Sequence, residues 1–241
     1  MTTHKVALIT GASSSIGAGL VAGYRSRDWA VVASSRTIRR SLEPDLVTVA
    51  GDLAEPATAD RIVDTALERF GRVDTLVNSA NTCILKPFTS YTPADYAAVT
   101  GVGLTGFFWL TQRVIGEMAA RYGGHVVNVS AAVADIAGSA TPAVLAALIK
   151  GGVAAATRSL AIEYASRGIR INAVFPRVID TLMHPASSYG GHTDRLPPLG
   201  RLGQISDVVE GVLFLEASAY ITGQILHIDG GTAASDNASV G

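Results

Sequence analysis

Residues 5–17 (KVALITGASSSIG) leave few folds open to this chain. Val6, Ala7, Leu8 and Ile9, followed by Thr10, form a short apolar run of the kind buried on both faces of a sheet. A turn of glycine and serine comes next, and Ile16-Gly17-Ala18-Gly19-Leu20-Val21 begins a helix. Strand, small-residue turn and helix together aim free backbone N–H groups and the positive end of a helix dipole at a phosphate. Gly11 allows the turn, and Gly17 lets the helix pack close to the sheet.

Strand and helix patterns then alternate to the end of the chain. Strands are predicted at 29–33 (WAVVA), 46–49, 73–77 (VDTLV), 125–129 (HVVNV), 169–175 (IRINAVF) and 224–228. Helices are predicted at 56–70, 93–121 with a break near Gly101 and Gly103, 141–165 and 205–215. In the 56–70 helix, Ile62, Val63, Ala66, Leu67 and Phe70 share one face. Strands separated by helices of this length form a parallel, doubly wound sheet. With no internal repeat or linker, the 241 residues read as a single domain with seven strands and helices on both faces. In such sheets ligands sit beyond the C-terminal strand ends, near the point where strand order reverses.

Composition removes several classes of function. Nineteen basic against twenty acidic residues give a net charge of −1, which argues against nucleic acid as a partner. The apolar region at 131–149 is interrupted by Asp135, Gly138, Ser139, Thr141 and Pro142, so no membrane span is expected. Cys83 has no partner for an internal disulfide, and a reducing, cytoplasmic setting is expected. His4, His125, His184, His192 and His227 lack metal-ligand spacing, so no metal is expected. No G-x-S-x-G turn follows a strand, which disfavours a serine hydrolase.

The order and spacing of further blocks resemble the short-chain dehydrogenase/reductase family across nearly the whole chain. The blocks are Thr10-Gly11 with Gly17, Asp52-Leu53, Val77-Asn78-Ser79-Ala80, Val127-Asn128-Val129-Ser130 and Lys150. They continue with Arg170-Ile171-Asn172-Ala173-Val174 ahead of Pro176, Thr222-Gly223-Gln224, and Ile228-Asp229-Gly230-Gly231. The resemblance implies a Rossmann-type fold and a nicotinamide dinucleotide cofactor. By it, Gly11, Ser13, Ser14, Ser15, Ile16 and Gly17 would line the pyrophosphate and ribose. Asp52 and Leu53 would meet the adenine, although Asp52 alone reads as a turn residue. Asn78, Ala80 and Lys150 would border the nicotinamide ribose, and Pro176 and Val178 belong to the same implied set. At the end of the second strand, Ser35 and Arg36 stand where an acid would favour NAD. A hydroxyl and a guanidinium there suit a 2′-phosphate, so NADP(H) is expected over NAD(H).

The family's reaction centre is altered. Its proton-donating Tyr, four residues before the Lys, falls at Ala146. Its carbonyl-positioning Ser falls at Ala131, and its relay Asn at Gly103. Ser15, Ser79, Asn81 and Arg177 are further departures. The expected activity is an NADP(H)-dependent oxidoreductase acting on a small carbonyl, alcohol or imine with a non-standard proton donor. Lys150 is the candidate donor, Ser130 a candidate for orienting the carbonyl, and His184 and His192 weaker alternatives. The other expectation is a catalytically silent NADP(H)-binding relative that serves as a sensor or partner subunit. A short substrate lid is expected at about 180–200, with an apolar wall near Ile84, Ile136 and Val178. Apolar and small residues around the helices at 104–121 and 142–164 point to burial against a second copy, as in a homotetramer or homodimer.

Overall fold

A computed structural model describes residues 4–131, 142–181 and 196–236. Seven strands form one all-parallel sheet in the order β3-β2-β1-β4-β5-β6-β7. They are β1 (Val6–Thr10), β2 (Ala30–Ser35), β3 (Leu46–Ala50), β4 (Thr75–Asn78), β5 (Gly124–Val129), β6 (Ile169–Pro176) and β7 (Ile225–Ile228). The helices are α1 (Ser15–Arg25), α2 (Pro56–Phe70), α3 (Pro93–Thr100), α4 (Phe107–Ala120), α5 (Val144–Tyr164), α6 (Ile205–Ala217) and the short α7 (Thr232–Asp236).

The central strands explain their own composition. Val6 and Leu8 enter one core with Ile62, Val63 and Leu110, while Ala7 and Ile9 enter the opposite core with Leu20, Val208 and Val212. Both faces of β1 are therefore buried, and the strand must be apolar at every position rather than at alternate ones. Helices α2, α4 and α5 cover the first face, and α1 with α6 covers the second. Truncating Leu8, which has no exposed surface, would cost about 2–5 kcal/mol.

Several boundaries expected from the sequence shift. The fourth strand starts later than expected, at Thr75, because Asp74 turns back to accept the Val6 N–H at 2.8 Å and the Arg72 guanidinium. The region 93–121 does not break at its glycines. It runs from α3 through one wide helical turn, Gly101–Gly106, straight into α4. Finally, α5 is long and apolar enough to cross a membrane, yet its Val153, Ala154 and Ala161 are buried within the fold.

At the N-terminal ends of the strands, Glu216 collects hydrogen bonds from Thr75 (2.8 Å), Tyr24 (3.1 Å) and His125 Nδ1 (3.0 Å). Arg170 and Asn172 donate toward His125 Nε2 at 3.3 and 3.2 Å, so that nitrogen must accept and Nδ1 carries the proton. The imidazole is thus neutral, in keeping with burial pushing His125 below its ordinary pKa.

Candidate active site at the strand ends

The β1–α1 turn is assembled from its backbone. Gly11 has φ +67°, and a Cβ there would lie 2.8 Å from the Ala80 backbone, so the turn touches the segment after β4. Ser14 caps α1 by accepting the Gly17 N–H at 3.0 Å. This starts the helix at Ser15, one residue earlier than the sequence suggests, and leaves its first-turn amides without partners inside the helix. Thr10 Oγ1 accepts the N–H groups of both Ser79 and Ala80 at 3.0 Å, pinning the β4 exit against the turn.

Beside this turn, the Oγ atoms of Ser34 and Ser35 are buried without a hydrogen-bond partner, and Arg36 next to them is exposed. Orphaned hydroxyls at a strand end next to a guanidinium are the donor set that a phosphate satisfies. Asp52 lies on the neighbouring loop. One of its carboxylate oxygens accepts the Ala54 N–H at 2.9 Å, so it serves the turn as its local sequence suggests.

One cavity lies beyond β1, β4 and β5. Thr10, Leu53, Asn78, Ala80, Gly103, Ser130, Ile149 and Lys150 are among its lining residues. Asn78 is held rigidly: its Nδ2 donates to Thr111 Oγ1 at 3.0 Å and Asn128 Oδ1 at 2.9 Å, and Asn128 in turn donates to Thr157 Oγ1 at 2.9 Å. This buried chain of amides and hydroxyls joins β4, α4, β5 and α5. Asn128 lies in a recognisable sequence block, whereas Thr111 and Thr157 lie outside any motif and meet it only through the fold.

Lys150 is 7% exposed, and its Nζ donates to Asn81 Oδ1 at 2.7 Å. Burial pulls its pKa down to about 8, with the nearby Cys83 thiol opposing that shift. Burial in turn pushes the Cys83 thiol up. Ser130 is also buried, and its Oγ has no partner among the described residues. Ala146 lies one turn before Lys150 on α5 and contributes only a methyl group. Gly103 faces Ile149, and a Cβ at Gly103 would come within 2.6 Å of Ile149 Cγ2. Space that a longer side chain at position 103 would need is filled by isoleucine.

Other expected site residues stand at the rim. Pro176 ends β6, and Val178 has φ +54° with its carbonyl accepting the Gly203 N–H at 3.1 Å. Ser13 is exposed, while Ile16 is partly buried against the α1–α6 side of the core. Ile136, His184, His192 and most of the expected lid lie outside the described residues. Ile84 packs with Val99, Leu145 and Ile149 in a small core cluster.

A family model described as enoyl-(acyl carrier protein) reductase matches residues 11–233. The chain belongs to the short-chain dehydrogenase/reductase family. Among its relatives is granaticin polyketide synthase putative ketoacyl reductase 2 of Streptomyces violaceoruber, 36% identical over 94% of this chain and 95% of that one. Among solved structures, ElxO with NADP bound has a TM-score of 0.87 at 26% identity, covering 96% of this chain and 100% of that one. A gluconate 5-dehydrogenase from Burkholderia cenocepacia J2315, in complex with NADP and tartrate, has a TM-score of 0.86 at 28% identity, covering 95% of each chain. The family placement accounts for the sheet order, and β1 and β4 meet at its switch point.

Proposed function

We propose that this chain is an NADP(H)-dependent oxidoreductase of small carbonyl, alcohol or imine compounds in which Lys150 supplies the proton. The observation that carries the reading is the buried Lys150 ammonium, with a pKa near 8, lining the same cavity as the unpartnered Ser130 hydroxyl. A carbonyl that accepts a hydride develops an oxyanion needing a proton, and an acid with a pKa near neutrality is suited to give one. When bound, the dinucleotide supplies or accepts the hydride.

The binding residues follow the same strand ends. Gly11, Ser13, Ser14, Ser15, Ile16 and Gly17 take the pyrophosphate side. Ser35 and Arg36 take the 2′-phosphate, a role supported by the orphaned Ser35 hydroxyl and by the NADP-bound relatives. Asp52 and Leu53 border the adenine, and Asn78, Ala80, Pro176 and Val178 border the nicotinamide end, where Lys150 also meets the ribose. Ser130 donates to the substrate carbonyl. Leu148 and Ile162 on α5 are 63% and 80% exposed, which supports assembly as a homodimer or homotetramer through that helix.

A binding-only relative is the second reading, favoured by Ala146 and by the filling of the space beside Gly103 with Ile149. Two measurements separate the readings. Fluorescence titration with NADPH and NADH tests the shared step, and binding of neither overturns both. Screening small aldehydes, ketones, quinones and imines for NADPH oxidation then decides: turnover supports the oxidoreductase, and tight NADPH binding with none supports the silent relative.

A further inference from the structure

The chain contains three lysines, Lys5, Lys86 and Lys150. Two have conventional partners. Lys5 lies 5.3 Å from the centre of the Trp29 ring, and Lys86 makes a 2.7 Å ion pair with Asp95. Lys150 faces no carboxylate and no ring among the described residues, and the titratable group beside it is the Cys83 thiol, which burial pushes up and so keeps protonated. Its one hydrogen bond there is to the neutral amide of Asn81, and it is buried at the wall of a cavity shared with Gly103, Ser130, Ile149 and Val153. An ammonium buried without a carboxylate partner gives up its proton more readily, and the neutral amine that remains is a nucleophile.

We propose that Lys150 captures small aldehydes and ketones covalently, as a Schiff base formed in this cavity with Ser130 as hydrogen-bond donor to the carbonyl oxygen. This is a second activity of the pocket and needs no cofactor. The Nζ lone pair adds to the carbonyl carbon, and the C=O π electrons move to oxygen. Proton transfer from nitrogen to oxygen then gives a carbinolamine. Loss of its hydroxyl with a proton, as one water, leaves the C=N bond, so nothing is oxidised or reduced. Asn81 Oδ1 accepts a hydrogen bond from the nitrogen at the start, and Ser130 Oγ, which has no other partner among the described residues, donates to the oxygen that departs. The burial of Lys150 and of Ala146 one turn away limits the hydration that would favour hydrolysis.

The lowered pKa of Lys150 supports the same chemistry. At pH 8 about half of the Lys150 side chains would be neutral, against roughly one in 300 for an ordinary lysine. The capture and the proposed dehydrogenase role are alternatives in time. A ribose hydrogen-bonded to Lys150 occupies Nζ and bars a carbonyl from it, whereas in the cofactor-free protein the amine is open to the cavity.

The test uses the intact chain with formaldehyde, small enough for a cavity of about 30 Å³, and cyanoborohydride at pH 8, which converts each imine to a stable methylamine, followed by peptide mapping. The three lysines report on one another. Lys150 is expected to be labelled at least about tenfold faster than Lys5 or Lys86, and Ser130→Ala to slow Lys150 alone. Labelling of Lys150 no faster than the other two overturns the proposal, whatever happens in the variant. Saturating NADP+, which cannot reduce the imine, is added in a second arm. Protection of Lys150 supports both the capture and the ribose contact. Rapid labelling that NADP+ leaves unchanged keeps the capture and removes Lys150 from cofactor binding.

Discussion

Lys150 and Asn81 form the pair on which the chemistry turns. The Asn81 carbonyl oxygen, 2.7 Å from Nζ, favours the charged form, while burial disfavours it. Replacing Asn81 by Ala removes the acceptor and leaves the burial. The alkaline limb of any NADPH-dependent reduction is then expected to move to lower pH, read from kcat against pH, while the conservative Asn81→Ser holds nearer the parent. A limb that stays in place in Asn81→Ala would show that the amide does not tune the lysine. At the other end of the site, Arg36 is exposed and adjoins the orphaned Ser35 hydroxyl. Charge-assisted hydrogen bonds of this kind contribute about 1.5–3 kcal/mol. Arg36→Ala should therefore weaken NADPH about tenfold or more in a fluorescence titration and leave NADH unchanged, and an equal loss for both would remove Arg36 from the 2′-phosphate.

Among the elements, the wide turn Gly101–Gly106 distinguishes the wall of this site. It lets Gly103 face Ile149 and Gly106 face Leu53, where a Cβ would lie 2.7 Å from the Leu53 Cβ. Gly103→Ala places a methyl group against Ile149 and is expected to destabilise the protein by about 1–3 kcal/mol in urea unfolding. The loss should shrink when Ile149→Ala is added, and additive losses would mean that the two positions do not compete for space. The strands and the helices on each side were legible in the sequence because two-sided burial forces continuous apolar runs such as Val6–Ile9 in β1 and Ala30–Ala33 in β2. The wide turn was not, since Gly101 and Gly103 read locally as a break; contact with Ala54 and Ile149 makes glycine the residue that fits a continuous helix. For the site, spacing brought Thr10, Asn78, Ser130 and Lys150 to one cavity. It gave no sign of the Asn81–Lys150 bond or the Thr111–Asn78–Asn128–Thr157 chain, because side chains 69 and 33 residues apart meet only after folding.

On the scale of the whole molecule, the two ends of the sheet carry separate ionisable systems. The C-terminal end holds Lys150. The N-terminal end holds Glu216, His125, Tyr24 and Arg170, which tie β4, β5 and β6 to the ends of α1 and α6. Burial alone would raise Glu216, but hydrogen bonds from His125, Thr75 and Tyr24 leave it below its ordinary pKa; burial holds His125 below its own. Both groups bind protons less readily folded than unfolded. Their stabilisation is complete above about pH 6.5, the unfolded histidine value, and is lost as pH falls through the folded values. The urea midpoint should accordingly drop between pH 7 and pH 5, and Glu216→Ala should cost about 3 kcal/mol at pH 7 by stranding its partners. A midpoint flat across that range would contradict the neutral, buried assignment of His125. Catalysis should respond to pH at the opposite end, on its own scale. The most direct test of Lys150 as the proton source is the single-turnover rate of NADPH oxidation, with a substrate found by the carbonyl screen, followed from pH 6 to pH 10 in the parent and in Lys150→Met. The account predicts a rate that is level at low pH, falls about tenfold per unit above an apparent pKa near 8, and is abolished in the variant while NADPH remains bound. A rate independent of pH through 8, or retained in Lys150→Met, would contradict it.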